Sequence, residues 1–285
     1  MGKGKVRDLK FLANTPSWQW EEEDSDRIIK ALGDTGADGS ERLLAAELAA
    51  ECTMFHEEIA ETLLYIVGRN DETTELREAA VISLGPFLEQ ADLLDFEEEE
   101  DLLSDEMFHR MQNRLRQLFF DAAVPPSLRR KVLETSVRAF QEWQCNAVRA
   151  AYKSNDPEWL LTAVFSMRFV RGFEREILEA LKHKDPIVHH HAVCAAGNWG
   201  IDEAWSHIVP LVTGKGVDKD LRLAAIDAIA GIRPGEAVDV LRGLTLSDDQ
   251  DIVDAAFEAI SMAKGLTDPG NLDDGTDDDP FGGKS

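Results

Sequence analysis

The chain repeats itself: LREAAVISLG at Leu76–Gly85 returns as LRLAAIDAIAG at Leu221–Gly231, with looser copies around Val132, Ala163, Ala192 and Ala256. Recurrence at this period marks an array of one supersecondary unit, because a unit of that size cannot bury its apolar face without neighbours. Aligning the small residue at the centre of each phrase gives Ala45, Ala80, Val132, Ala163, Ala192, Ala225 and Ala256, at intervals of 35, 52, 31, 29, 33 and 31 residues. Such arrays usually offer an extended surface to a partner, so the repeat speaks clearly about architecture and faintly about chemistry.

Each phrase has apolar residues at helical spacing, as in Leu221, Ala224, Ala225, Ala228 and Ile229, with small residues where two helices must approach closely. Asp156-Pro157 and Asp185-Pro186 place a capping carboxylate ahead of a proline at the first helical position, where its missing N–H costs nothing. A second helix is expected after each first one, in segments beginning near Ile59, Met107, Asn146, Glu174, Glu203 and Glu236. No run of alternating β-branched residues argues for strands, so the expected class is all-α, a solenoid of about six helix–turn–helix units.

An Asp at the turn, an aliphatic–Arg pair three residues before a small residue, and a small–aliphatic–Gly close stand as Asp218, Leu221-Arg222, Ala225 and Ala228–Gly231. This pattern resembles the HEAT-repeat superfamily in its short, phycobilisome-lyase-type form, over roughly residues 40–265. The resemblance implies a right-handed α-solenoid whose second helices line a concave face. Leu160, His189 and Val253 stand where the arginine is expected, which weakens any regular Asp–Arg ladder between units but not the helix pairing.

Three segments are expected: a cap at 1–39, the array at 40–266, and an acidic disordered tail at 267–285. Trp18 and Trp20 are expected to fold down over the open end of the first repeat. The long interval is explained by an insertion at 92–106, which carries nine acids and no base and reads as a solvated loop. Three distant cysteines, Cys52, Cys145 and Cys194, argue against a disulfide framework. With no secretion-signal pattern and no run of eighteen apolar residues, a cytoplasmic protein without a membrane span is expected.

Little in the sequence points to catalysis. His189, His190 and His191 are consecutive, and on a helix they fan out by about 100° each, so the three do not converge on one metal, whereas two of them with His183 or His207 from neighbouring segments could. HEAT-like deoxyhypusine hydroxylases bind iron through several His-Glu dipeptides, and this chain has one, His56-Glu57. Cys194 lies in the apolar run AVCAAG and reads as a packed thiol. No P-loop, nucleophile elbow or dinucleotide fingerprint occurs in its required context. No catalytic residue, metal ligand or cofactor is therefore expected.

Charge is more informative. Between Arg110 and Lys184 there are fourteen Lys or Arg and eight Asp or Glu, a local net of +6 inside a chain of net −25. Arg110, Arg114, Arg149, Lys153, Arg175 and Lys182 fall on second helices, and Arg168 and Arg171 lie at a turn beside Phe169 and Phe173. The expected function is a scaffold or adaptor that binds an acidic segment of a protein partner through these eight residues on its concave face. The acidic loop or tail could occupy the same face within the molecule. The overall negative charge disfavours nucleic acid. The alternative carried by the resemblance is a HEAT-like lyase or chaperone-lyase acting on a protein-bound cofactor.

Overall fold

The computed structural model describes residues 7–52, 57–93 and 103–267. Among them the chain is helical, with no strand. It divides into two compact units, Met1–Val170 and Arg171–Ser285. In the first unit lie α1 (Leu9–Leu12), α2 (Glu22–Gly33), α3 (Gly39–Ala49), α4 (Glu57–Gly68), α5 (Thr74–Ser83), α6 (Gly85–Leu93), α7 (Asp105–Phe120), α8 (Pro126–Ser136), α9 (Glu142–Tyr152) and α10 (Pro157–Ser166). The second holds α11 (Glu174–Ala180), α12 (Pro186–Asn198), α13 (Trp205–Thr213), α14 (Lys219–Ile232), α15 (Pro234–Leu241) and α16 (Gln250–Thr267).

Helix starts follow the local chemistry of the sequence. Asp156 Oδ1 accepts from the backbone N–H of Glu158 at 2.9 Å, and Asp185 Oδ1 accepts from that of Ile187 at 2.8 Å. Asp218 caps α14 in the same way, and the Thr73 and Ser104 hydroxyls cap α5 and α7. Each oxygen satisfies an N–H that the first turn of a helix otherwise leaves without a partner.

The first helices α3, α5, α8 and α10 pack in series in the first unit, as α12, α14 and α16 do in the second. All seven small residues of the repeat phrase, from Ala45 to Ala256, are fully buried in these rows. Their size sets how closely the helices approach. The tightest case is α12 against α14, where a Cβ added at Gly197 would sit 2.4 Å from Ala228 Cα. Only the absence of a side chain permits that approach.

The pairing between rows runs out of phase with the repeat phrase. Each second helix packs more heavily on the first helix that follows it than on the one it follows: α4 on α5, α7 on α8, α9 on α10, α13 on α14 and α15 on α16. Helix α2 takes the same place against α3, so Glu22–Gly33 is a helix of the packed array and not merely a cover over it.

Where the repeat arginine is present, it reinforces this phase. Arg42 donates through Nε and Nη2 to Leu32 O at 3.1 Å, Arg77 through Nε to Val67 O at 3.1 Å, and Arg129 through Nε to Phe119 O at 2.7 Å. Arg222 donates to Gly214 O. In every case the acceptor closes the preceding second helix, so the arginine of a first helix caps the carbonyl end of its partner, where orphan acceptors and the negative end of the macrodipole meet. At Arg42 this arginine–carbonyl cap is supplemented by a largely buried ion pair with Glu72 at 2.7 Å. Contact with Arg42 holds the Glu72 carboxyl below its ordinary range.

Two further expectations change. Helix α6 is an additional helix ahead of the acidic segment. Trp20 does fold in, with Nε1 donating to Thr15 O at 2.8 Å, but Trp18 is 78% exposed. Most of the acidic insertion (94–102), the tail beyond Thr267 and His56 lie outside the described residues.

Candidate interaction surface

The eight basic residues singled out above are engaged to different degrees. In the first unit, Arg110 on α7 pairs with Glu61 on α4 at 2.9 Å, both side chains half exposed. Arg114, one turn later, donates to Gly68 O at 3.2 Å and fills the space that a side chain at Gly68 would need. Arg168 lies over the rings of Phe165 and Phe169, at 5.6 and 5.7 Å. Arg149 on α9 and Lys153 at its C-cap are exposed. In the second unit Arg171 stacks on Trp199 at 4.8 Å, Arg175 pairs with Glu179 at 3.0 Å, and Lys182 is exposed. Several of these guanidiniums thus serve their own fold.

The charge surplus is narrower than the sequence window suggested. Nine bases face three acids between Arg110 and Lys153, whereas Ser154–Lys184 holds five of each. The surplus of bases therefore lies in the stretch from Arg110 to Lys153 of the first unit, whose helix α7 also carries Asp105 and Glu106 in its first turn.

Those helices carry a feature that charge counting misses. Helix α2 packs on α4 and α4 on α7, but α7 and α9 scarcely touch along their backbones. Aromatic side chains occupy the gap. Phe119 lies 5.1 Å from Trp143 and 6.2 Å edge-on from Trp159, and Phe120 lies 5.4 Å from Trp143. Arg129 covers the Phe119 and Trp159 rings from α8, at 5.5 and 5.9 Å. Beside these rings runs a groove whose floor is Ala147, Ala150 and Ala151, and Phe120 stands on its rim 59% exposed. A second hollow opens on the other side of Trp143, between Arg116 and Phe140.

Trp143 is held in place from beneath. Its Nε1 donates to Gln141 Oε1 at 2.7 Å, the Gln141 backbone N–H donates to Gln144 Oε1 at 2.9 Å, and the buried Gln144 amide donates to Ser136 O at 2.7 Å. A ring positioned by a satisfied polar network can act as a fixed wall of a groove.

In the second unit, His189 does not take over the arginine's capping role. It turns forward, and its Nε2 lies 2.9 Å from Nε2 of His207 on α13, where one imidazole donates and the other accepts. Burial, and then the facing imidazole, pushes the His189 pKa down; burial, and then Lys182, does the same for His207. Among the described residues, no three His, Cys, Asp or Glu are grouped so as to hold a metal ion, and no helix is long and apolar enough to cross a membrane.

The family model described as HEAT repeats matches residues 174–261. That stretch consists of HEAT repeats. It covers α11 to α15 and most of α16, and the arginine cap at Arg222 lies within it. No curated protein sequence matches the chain significantly. Among solved structures, the chain is similar to an engineered protein at 16% identity and TM-score 0.42, over 93% of this chain and 80% of that one. It is similar to YibA of E. coli at 11% identity and TM-score 0.44, over 92% and 98%. Human deoxyhypusine hydroxylase in complex with glycerol aligns at 12% identity and TM-score 0.39, over 85% and 96%.

Proposed function

We propose that this chain is a protein-interaction scaffold that binds an acidic segment of a partner on the second-helix side of its first unit. The observation that carries this reading is the surplus of bases in the stretch from Arg110 to Lys153, nine against three acids, within a molecule of net −25. Net repulsion keeps other acidic surfaces away at long range, while a local patch of opposite sign selects a short acidic segment and fixes its register. Arg149 and Lys153, exposed at the end of α9, are assigned the central contacts, and Arg110 and Arg114 extend the patch along α7. Arg168 borders it. Arg171, Arg175 and Lys182 belong to the second unit and are assigned no more than a supporting part.

The test uses the full chain and a fluorescein-labelled dodecapeptide rich in Asp and Glu, followed by anisotropy. Binding is expected to weaken as salt rises from about 50 to about 300 mM, because screening reaches contact distances over that range. Arg149→Glu with Lys153→Glu is expected to weaken it about tenfold or more, the scale of like-charge juxtaposition at a contact. Unchanged affinity in the double variant removes this reading.

A further inference from the structure

We infer that the groove beside Trp143 is an anchor pocket for one apolar side chain of that acidic segment, so that recognition has two parts: an aliphatic or aromatic residue in the groove and carboxylates on the bases around it. The inference rests on the scaffold reading above and adds the chemistry of the ligand.

The groove is built to accept bulk. Its floor is alanine on successive turns of α9, which leaves room above the helix backbone, and its walls are Phe119, Phe120, Trp143 and Trp159 from three different helices. A small floor between rigid aromatic walls is the arrangement in which one inserted side chain loses most of its contact with water, and such anchors dominate interface energetics. Phe120 keeps more than half its surface in solvent and gives the groove an exposed apolar lip. An exposed patch rimmed by polar groups is characteristic of a recognition surface.

Charge complementarity selects the occupant. Arg129 stands in the groove wall and Lys153 follows the last turn of α9, while the hollow that shares Trp143 is lined by both Arg116 and Glu142. A cationic anchor would meet like charge at Arg129, whose guanidinium already lies against two of the rings. A neutral apolar anchor with Asp or Glu on either side meets apolar wall and opposite charge together. Single-stranded nucleic acid would also use aromatics and bases, but it needs open ring faces for successive bases. Here Phe119 is buried and Arg129 covers it and Trp159, and the net charge of the chain opposes a long polyanion.

The experiment compares three labelled probes on the full chain by anisotropy: an acidic peptide with a central Phe, the same peptide with Ala in its place, and a twelve-nucleotide oligothymidylate. Two variants act on the groove without changing charge, Phe120→Ser at the lip and Ala150→Gln on the exposed floor, and circular dichroism verifies that both fold. The Phe peptide is expected to bind at least about tenfold more tightly than the Ala peptide, with each variant abolishing most of that advantage. Equal binding of the two peptides, or a Phe advantage that survives both variants, overturns the anchor while leaving the basic-surface reading intact. Binding of neither peptide overturns both. Tighter binding of the oligonucleotide than of the Phe peptide overturns the choice of a peptide ligand.

Discussion

In four of the repeats a single arginine ties two helices together. The Arg77 Nε–Val67 O bond is buried, and Arg114 sits close enough that burial and its like charge pull the Arg77 pKa down. The cap is retained at that cost because an uncapped carbonyl in the same place is worse: leaving a buried acceptor without a donor costs about 1–3 kcal/mol. Arg77→Gln is expected to destabilise the chain by that amount in urea unfolding, with earlier hydrogen exchange in the last turn of α4. Where the slot holds His189, a pH-sensitive pair replaces the cap. Both pKa values are lowered in the folded protein, so the native state holds fewer protons than the unfolded one between those values and the ordinary histidine value of about 6.5. Stability therefore falls as pH drops through that window, and below it the loss is complete. Thermal melts of His189→Gln and His207→Gln are expected to show a flatter pH dependence than the parent between about pH 7 and pH 5.

At the scale of the element, side-chain size decides spacing in one row and openness in the other. Gly197→Ala forces a methyl into the backbone of α14 and is expected to lower stability by about 1–3 kcal/mol, the usual cost of overpacking, with a matching fall in melting temperature. Between α7 and α9 the opposite choice was made, and large rings hold the helices apart. The first arrangement was legible in the sequence, since Ala45, Ala80, Val132, Ala163, Ala192, Ala225 and Ala256 recur at similar spacing apart from the one interval lengthened by the insertion, and all prove buried. The second was not. Phe119, Phe120, Trp143 and Trp159 lie on three helices, and each alone reads as an ordinary core aromatic. Only their crowding into the same basic stretch as Arg116 and Arg129 was available as a signal. The arginine cap escaped for a related reason. Its acceptor is a backbone carbonyl, which every residue has, so no residue type eight or ten positions earlier advertises it.

At the scale of the molecule, charge is sorted along the chain: acids prevail in both units as wholes, and a surplus of bases, nine against three acids, stands between Arg110 and Lys153 of the first. Counting over a window that ran to Lys184 blurred this, because the balanced stretch from Ser154 onward added charges of both signs. The out-of-phase pairing of the helices has a practical consequence. A segment cut out as the eye reads the repeat, first helix through second, leaves behind a helix stripped of the guanidinium that closed it and carries away another whose end has lost its own. A segment running from a second helix through the first helix after it, such as Glu57–Ser83, travels with its closing arginine. Anyone lengthening, shortening or transplanting part of this protein should place the seams accordingly.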